Sequence, residues 1–393
     1  MDSITDMPKG FKCAGIAAGI KPANVKDMAL ILSEGPATSA GVFTTNQVCA
    51  APVKVCRAHL THGIARAIIM NSGVANACTG AEGMALAKEM CVETAKAVGC
   101  LPEDIFVCST GKIGPQLPLD KIVPGIAKLV ETASPENIQE TAEAMMTTDT
   151  RPKVSAVELK MAGQTVKIVG FAKGAGMIEP NMATMLSYIT TDAAVEQPAL
   201  QALLKKAVDK SFNRISVDGD QSTNDTVLAL ANGASGMEAL KASSEDWPAF
   251  VEAFETVCFE LAMMIVHDGE GADKFVTVNV INAASEEDAD FAARSVANSM
   301  LNKTAWAGSY PDWGRIMDAV GYSRAKVVEE LVDIFYDDTQ AVSHGCRSGI
   351  PLEDLIKVVS KSDFAITINL HIGEGAATVY TCNCTEEYVR INY

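Results

Sequence analysis

The chain has 393 residues, 48% of them hydrophobic and 21% charged, and a formal net charge of −17. That composition excludes a disordered or fibrous protein, and the length suits two or three domains or one large two-lobed unit. With 49 acidic against 32 basic residues and a pI near 4.8, the chain repels phosphate backbones and anionic lipid, so neither nucleic acid nor a membrane surface is an expected partner.

The opening residues Met1 to Asp6 are acidic and lack an apolar stretch, unlike a secretory signal or an Arg-rich transit peptide. No window approaches about 18 uninterrupted apolar residues, so no membrane span is expected. The eleven cysteines are odd in number and form no CxxC pair, which fits a reduced, cytoplasmic setting. Cys382 and Cys384 form a lone CxC, read as burial, and no metal is expected.

In chain order, Ala67-Ile68-Ile69-Met70 predicts a short buried strand closed by Asn71-Ser72-Gly73. Met84, Ala87, Cys91, Ala95 and Val98 recur at helical spacing. Ile105 to Cys108 is a second apolar run, and Thr148 to Lys153 reads as a polar break. Thr165 to Val169 alternates as a strand does. Leu200, Leu203, Leu204, Ala207, Val208 and Phe212 predict a helix behind Pro198. A second break is expected at Ala242 to Trp247. Phe254, Val257, Cys258, Leu261 and Ile265 mark another helix. Val276, Val278 and Val280 share one face of a strand, as do Phe364, Ile366, Ile368 and Leu370. Strands and helices mixed in this way predict an α+β or mixed α/β fold with helix-covered sheets.

Familiar cofactor motifs fail. Gly111-Lys112 has Phe106 where a phosphate loop needs glycine, and Gly174-Ala175-Gly176 lacks a third glycine at Glu179. No HExxH or Gly-x-Ser-x-Gly occurs among the five histidines and the serines, and no acid/base triad follows from spacing, so an enzyme without a cofactor here need not use a histidine base. The informative segment runs from Lys173 to Asp192. A loop rich in Gly, Pro and Asn leads into a strand near Thr184, so Ala183-Thr184 puts a hydroxyl after a small residue at a strand mouth. Self-cleavage needs that arrangement: Thr184 attacks the Ala183 carbonyl, and the freed α-amine, of ordinary pKa about 7.7–8.0, then serves as base for its own hydroxyl. A β-branched residue simply beginning a strand is the other reading.

The run Gly176-Met177-Ile178-x-Pro180-Asn181-Met182-Ala183-Thr184-Met185-Leu186 closely resembles the ornithine acetyltransferase family of arginine biosynthesis, also called glutamate N-acetyltransferase. Further blocks follow in order over nearly the whole chain. They are Lys9-Gly10-Phe11, Phe43-Thr44-Thr45-Asn46, Asn71 to Gly80, Ser109 to Gly114, Met146 to Thr150, Val217 to Thr226, Asp268 to Ala272, Pro311 to Arg315 and Tyr388 to Asn392.

The resemblance implies a two-lobed αββα sandwich and self-cleavage between Ala183 and Thr184. It implies an alpha chain of residues 1–183 and a beta chain of residues 184–393, assembled as α2β2. Thr184 would carry acetyl from N-acetylornithine to glutamate by a ping-pong mechanism, without a cofactor, and some members also take acetyl from acetyl-CoA. Thr110 and Gly111 match the family's oxyanion hole. Lys173 and Thr147 match substrate-binding residues, with Thr148 or Thr150 as alternatives to Thr147. Glu270 matches a binding carboxylate that meets a substrate amine or orders the new N-terminus, and its neighbour His267 reads as structural. Asn392 carries over as a substrate contact, whereas the family's terminal Ser/Thr contact has no counterpart after Tyr393. An amidase on the same scaffold and a non-enzymatic paralogue are the competing readings.

Overall fold

The computed structural model describes residues 6–22, 24–179 and 185–393. They form two compact units: residues up to Gly174, 185–213 and 221–265 in unit 1, and residues 175–179, 214–220 and 266–393 in unit 2.

Unit 1 is built on one sheet. Its strands are β1 (Phe11–Ile16), β2 (Met28–Phe43), β3 (Ile64–Val74), β4 (Ile105–Lys112), β5 (Lys153–Met161), β6 (Gln164–Lys173), β7 (Leu186–Thr191) and β8 (Thr226–Ala231). Their order is β4-β3-β2-β8-β7-β6-β5, with β1 paired to β2. Helices α1 (Ala51–His59), α2 (Gly80–Val98), α3 (Leu119–Thr132) and α4 (Ile138–Met145) lay Val55, Met90, Ile126 and Ala142 on the face that carries Phe171 and Tyr188. The opposite face takes α5 (Gln197–Lys210) and α6 (Trp247–His267). There Gly170 lets α6 approach, because a Cβ at that position would lie 2.6 and 2.7 Å from Val257 and Leu261. All residues of β7 and β8 are consequently buried, in parallel register from Leu186 opposite Thr226 to Thr191 opposite Ala231.

Unit 2 has its own sheet of β9 (Phe275–Ala283), β10 (Asp333–Tyr336), β11 (Thr339–Ser343), β12 (Cys346–Arg347), β13 (Asp363–Asn369) and β14 (Gly375–Cys382), ordered β12-β11-β10-β13-β9-β14. Its helices are α7 (Glu286–Asn298), α8 (Met300–Ala307), α9 (Trp313–Gly321), α10 (Leu352–Val359) and α11 (Glu386–Ile391). Val276, Val278, Val280, Phe364, Ile366 and Ile368 pack with Ala289, Ala293 and Val296 of α7. The alternation visible in these two strands reports that one-sided burial.

The mixed α/β class, with two sheets and helical cover, is the one expected. Two details differ. The expected breaks at 148–153 and 242–247 are irregular up to residues 152 and 246, where β5 and α6 follow, yet both lie inside unit 1. Asn71-Ser72-Gly73 does not close β3 but continues it. Asn71 and Ser72 are fully buried there, because Asn71 Nδ2 donates to Val74 O at 2.8 Å and Ser72 Oγ to Ala144 O at 2.6 Å. Thr110 and Gly111, just past the apolar run Ile105 to Cys108, lie at the end of β4. All eleven cysteines are free thiols. Among the described residues, no helix is long and apolar enough to cross a membrane, and no group of three or more His, Cys, Asp or Glu could hold a metal ion.

Candidate active site

Three of the sequence blocks meet at the ends of parallel strands β3 and β4. Ser72 stands opposite Thr110 and Gly73 opposite Gly111. Gly111 has φ +126°, and a Cβ there would fall 2.3 Å from the Gly73 carbonyl carbon, so only glycine fits. Ser109 Oγ donates to Asn71 Oδ1 at 2.6 Å. Asn224 Nδ2 donates to Ala75 O at 2.6 Å and to Ser109 O at 2.8 Å, which ties the Ser222-Thr223-Asn224-Asp225 block to the same strand ends. Just beyond, the Thr226 N–H donates to Met185 O at 3.0 Å and aligns β7 with β8. Asp225 is buried beside it, and burial pushes its carboxyl well above the usual carboxylate range.

Lys173, the last residue of β6, is 8% exposed and reaches this corner. Its Nζ donates to Thr147 Oγ1 at 2.9 Å and to Thr110 Oγ1 at 3.3 Å. Three residues expected at the site from sequence therefore converge within unit 1. Thr147 is held by Asp149, a residue assigned no role at the sequence level. The Thr147 N–H donates to Asp149 Oδ2 at 2.9 Å. Asp149 Oδ1 accepts from Lys153 Nζ and from the Gly174 N–H, each at 2.7 Å. Burial works to raise the Asp149 carboxyl, but Lys173, Lys153 and the Gly174 N–H outweigh it and hold the group well below the usual range. Lys21 is a second residue to which the sequence assigned no role. It donates to Met146 O at 2.6 Å, and burial, reinforced by Lys173, lowers its pKa to about 8. A lone lysine twenty residues into the chain gives no sign of such a position.

In unit 2, Asn392 Nδ2 donates to Glu270 Oε2 at 2.5 Å, so the remaining pair of expected residues is also in contact. Glu270 is 6% exposed, and its N–H donates to Ala175 O at 2.9 Å. Asn392 ends α11, which is docked at its other end by Thr385 Oγ1 donating to Gly271 O at 2.6 Å. His267 stacks on Phe275 with ring centroids 4.1 Å apart, a structural contact. Ala183 and Thr184 lie outside the described residues.

The sequence profile of the ArgJ family matches residues 12–393. The arginine biosynthesis bifunctional protein ArgJ of Geobacter sulfurreducens is 46% identical over 385 residues, covering 98% of each chain. The chain belongs to the ArgJ family. The protein of the same name from Chlorobaculum tepidum is 46% identical over 387 residues, covering 98% of this chain and 95% of its own. Among solved structures, the crystal structure of ArgJ from Bacillus halodurans is similar with a TM-score of 0.51 at 39% identity. The match covers 53% of this chain and 99% of that one. Membership of the ArgJ family makes this protein an enzyme of arginine biosynthesis, as the order of its sequence blocks led one to expect.

Proposed function

We propose that this ArgJ-family enzyme moves acetyl from N2-acetyl-L-ornithine to L-glutamate, with Thr184 as the acyl carrier, after the chain has cut itself between Ala183 and Thr184. The observation that carries the reading is the Lys173 ammonium bonded to the hydroxyls of both Thr110 and Thr147. Lys173 donates to Thr110 Oγ1, so the Thr110 hydroxyl is polarised and gives its own proton to another oxygen. A tetrahedral oxyanion needs such a donor, worth about 3–4 kcal/mol, and the Gly111 N–H is the second. Lys173 and Thr147 serve the carboxylate common to both substrates. Glu270 and Asn392 are the further substrate contacts.

In the first half-reaction the Thr184 hydroxyl attacks the acetyl carbon, and its proton passes to the Thr184 α-amine and on to the departing ornithine amine. In the second, the glutamate amine attacks the acetyl-threonine ester and gives up a proton to the α-amine, and the Thr184 oxygen leaves and takes that proton back, so the acyl group needs no cofactor to hold it. Acetyl-CoA is a second acetyl source, in keeping with the word bifunctional in the relatives' names. The two products of the cut stay together as α2β2 in the cytoplasm. One length supports the cut. The Bacillus halodurans chain is matched over nearly all its residues yet covers 53% of this chain, the fraction that residues 184–393 make up.

The test is a denaturing gel of purified protein. Scaled from 41.5 kDa by length, the products run at roughly 19 and 22 kDa, and the larger begins Thr-Met-Leu-Ser. A single full-length band from active protein removes the mechanism, and acetate release without transfer to glutamate favours the amidase reading. A second expectation concerns Asn392. Asn392→Ala removes one hydrogen bond to a charged group, worth about 1.5–3 kcal/mol, and raises KM for acetylornithine about ten- to a hundredfold with little change in kcat. An unchanged KM removes Asn392 from the substrate contacts.

A further inference from the structure

Residues 175–179 belong to unit 2, although the chain before them and after them belongs to unit 1. Within this short segment Met177 has φ +56°, in the left-handed region. An unbranched non-glycine residue there costs roughly 1–2 kcal/mol, and the Met177 side chain, 42% exposed, recovers little of it by burial. Something else holds the backbone in place. The Met177 N–H donates to Asp218 Oδ2 at 2.6 Å, and the next amide, Ile178 N–H, donates to Asp218 Oδ1 at 2.8 Å. One carboxylate thus grips two consecutive amides. The grip is reinforced on both sides. Val217 N–H donates to Ile178 O at 2.7 Å, and Glu179 N–H to Asp220 O at 3.0 Å. Asp218 is itself oriented by the Tyr388 hydroxyl at 3.1 Å and the Asp220 N–H at 3.3 Å. Beyond Ile178, which is fully buried, Glu179 Oε1 accepts from Asn298 Nδ2 at 2.6 Å.

Thr184 lies five residues beyond Glu179 in the sequence, so the peptide bond between residues 183 and 184 follows closely on the clamped segment. We propose that Asp218 is a positioning residue for self-cleavage: its carboxylate clamps the amides of Met177 and Ile178, holds Met177 in left-handed backbone and so sets the path of the segment leading to the Ala183–Thr184 bond. The inference rests on the self-cleavage reading above. The covalent step is unchanged by it. The Thr184 hydroxyl oxygen adds to the Ala183 carbonyl carbon, the C–N bond breaks, and the leaving amine takes the hydroxyl proton. Water then opens the ester to the Ala183 carboxyl group and the Thr184 hydroxyl. Such an intramolecular attack depends on alignment, and a misplacement of about 1 Å costs about a hundredfold. Two charge-assisted bonds from one rigid fork are a means of preventing it.

The experiment follows full-length chain into its two products over time on denaturing gels, with a thermal melt of each variant to establish folding. Asp218→Asn keeps the shape of the side chain but turns an NH2 group toward one of the two amides, so cleavage is expected to slow about ten- to a hundredfold. Met177→Gly added to Asp218→Asn restores part of the rate, because glycine adopts φ +56° without being forced. A folding defect alone would not respond to that second change. Met177→Pro, at an exposed side chain, forbids positive φ and removes the clamped N–H, and it slows cleavage even if Asp218→Asn is not recovered folded. Wild-type cleavage rates in folded Asp218→Asn or in Met177→Pro overturn the clamp, as does a slowed Asp218→Asn that Met177→Gly does not rescue. Thr184→Ala, run alongside, separates the two claims. If it is cleaved, or if the wild-type chain stays whole, the self-cleavage reading itself is wrong and the clamp falls with it.

Discussion

Thr184→Ala is expected to accumulate as a single 41.5 kDa chain, folded and unable to transfer acetyl. In the proposed mechanism the same hydroxyl is required twice, first to attack the Ala183 carbonyl during maturation and then to carry acetyl during turnover. Loss of the nucleophile in an acyl-transfer enzyme reduces kcat on the order of 10⁶-fold, so residual activity should lie at background. The fold has no need of that hydroxyl, since β7 starts at Leu186 and its register on β8 is set by fully buried residues on both strands. Thr184→Ser keeps a hydroxyl and should still mature, which separates the chemistry from the shape of the side chain. Acetyl transfer by uncleaved Thr184→Ala would assign the acyl carrier elsewhere.

The second large effect is on stability. Asp149→Asn is expected to destabilise unit 1 by about 3–5 kcal/mol at pH 7, because it removes one partner of a buried ion pair. Lys153 is 1% exposed, and the Asp149 side chain is fully buried with its Oδ1 2.7 Å from the Lys153 ammonium. Without the carboxylate charge, Lys153 is left inside the protein without its 2.7 Å ion-pair partner, and the N–H groups of Thr147 and Gly174 compete for a single amide oxygen. The sign of the pH dependence follows from the lowered carboxyl. Its folded-state pKa lies below the unfolded value of about 3.9, so its contribution is complete above that value and is lost as pH falls toward the folded pKa. Denaturant midpoints of wild type and variant should therefore stand far apart at pH 7 and converge below about pH 4. A gap at pH 7 smaller than about 1 kcal/mol, the level of an exposed pair, would show that the pair is not buried in solution. The same variant should also disturb activity, because Asp149 Oδ2 holds the Thr147 amide and Asp149 Oδ1 holds the Gly174 amide that follows Lys173.

The sequence by itself determined the elements whose burial is one-sided, and the family. Periodicity reports which side of a segment is dry, so Ala87, Cys91 and Ala95 of α2, Leu200 to Val208 of α5, and the alternating valines of β9 could be read directly. The blocks carrying Thr110, Thr147, Lys173, Glu270 and Asn392 were legible as a set because each is a run of unusual residues in a fixed order. The tertiary structure alone decided which of them touch. Lys173 on β6 meets Thr110 on β4 and Thr147 after α4 only because a sheet and a buried aspartate bring together segments far apart in sequence. Polar residues are where local reading failed. Asn71-Ser72-Gly73 looks like the end of a strand until Val74, Ser109 and Ala144 supply its hydrogen bonds, and Asp149 shows no role until the Lys153 ammonium and the amides of Thr147 and Gly174 surround it. A polar side chain is stable inside a protein only if partners from elsewhere in the chain satisfy it, and the identity of those partners is a property of the folded chain rather than of its neighbours in sequence.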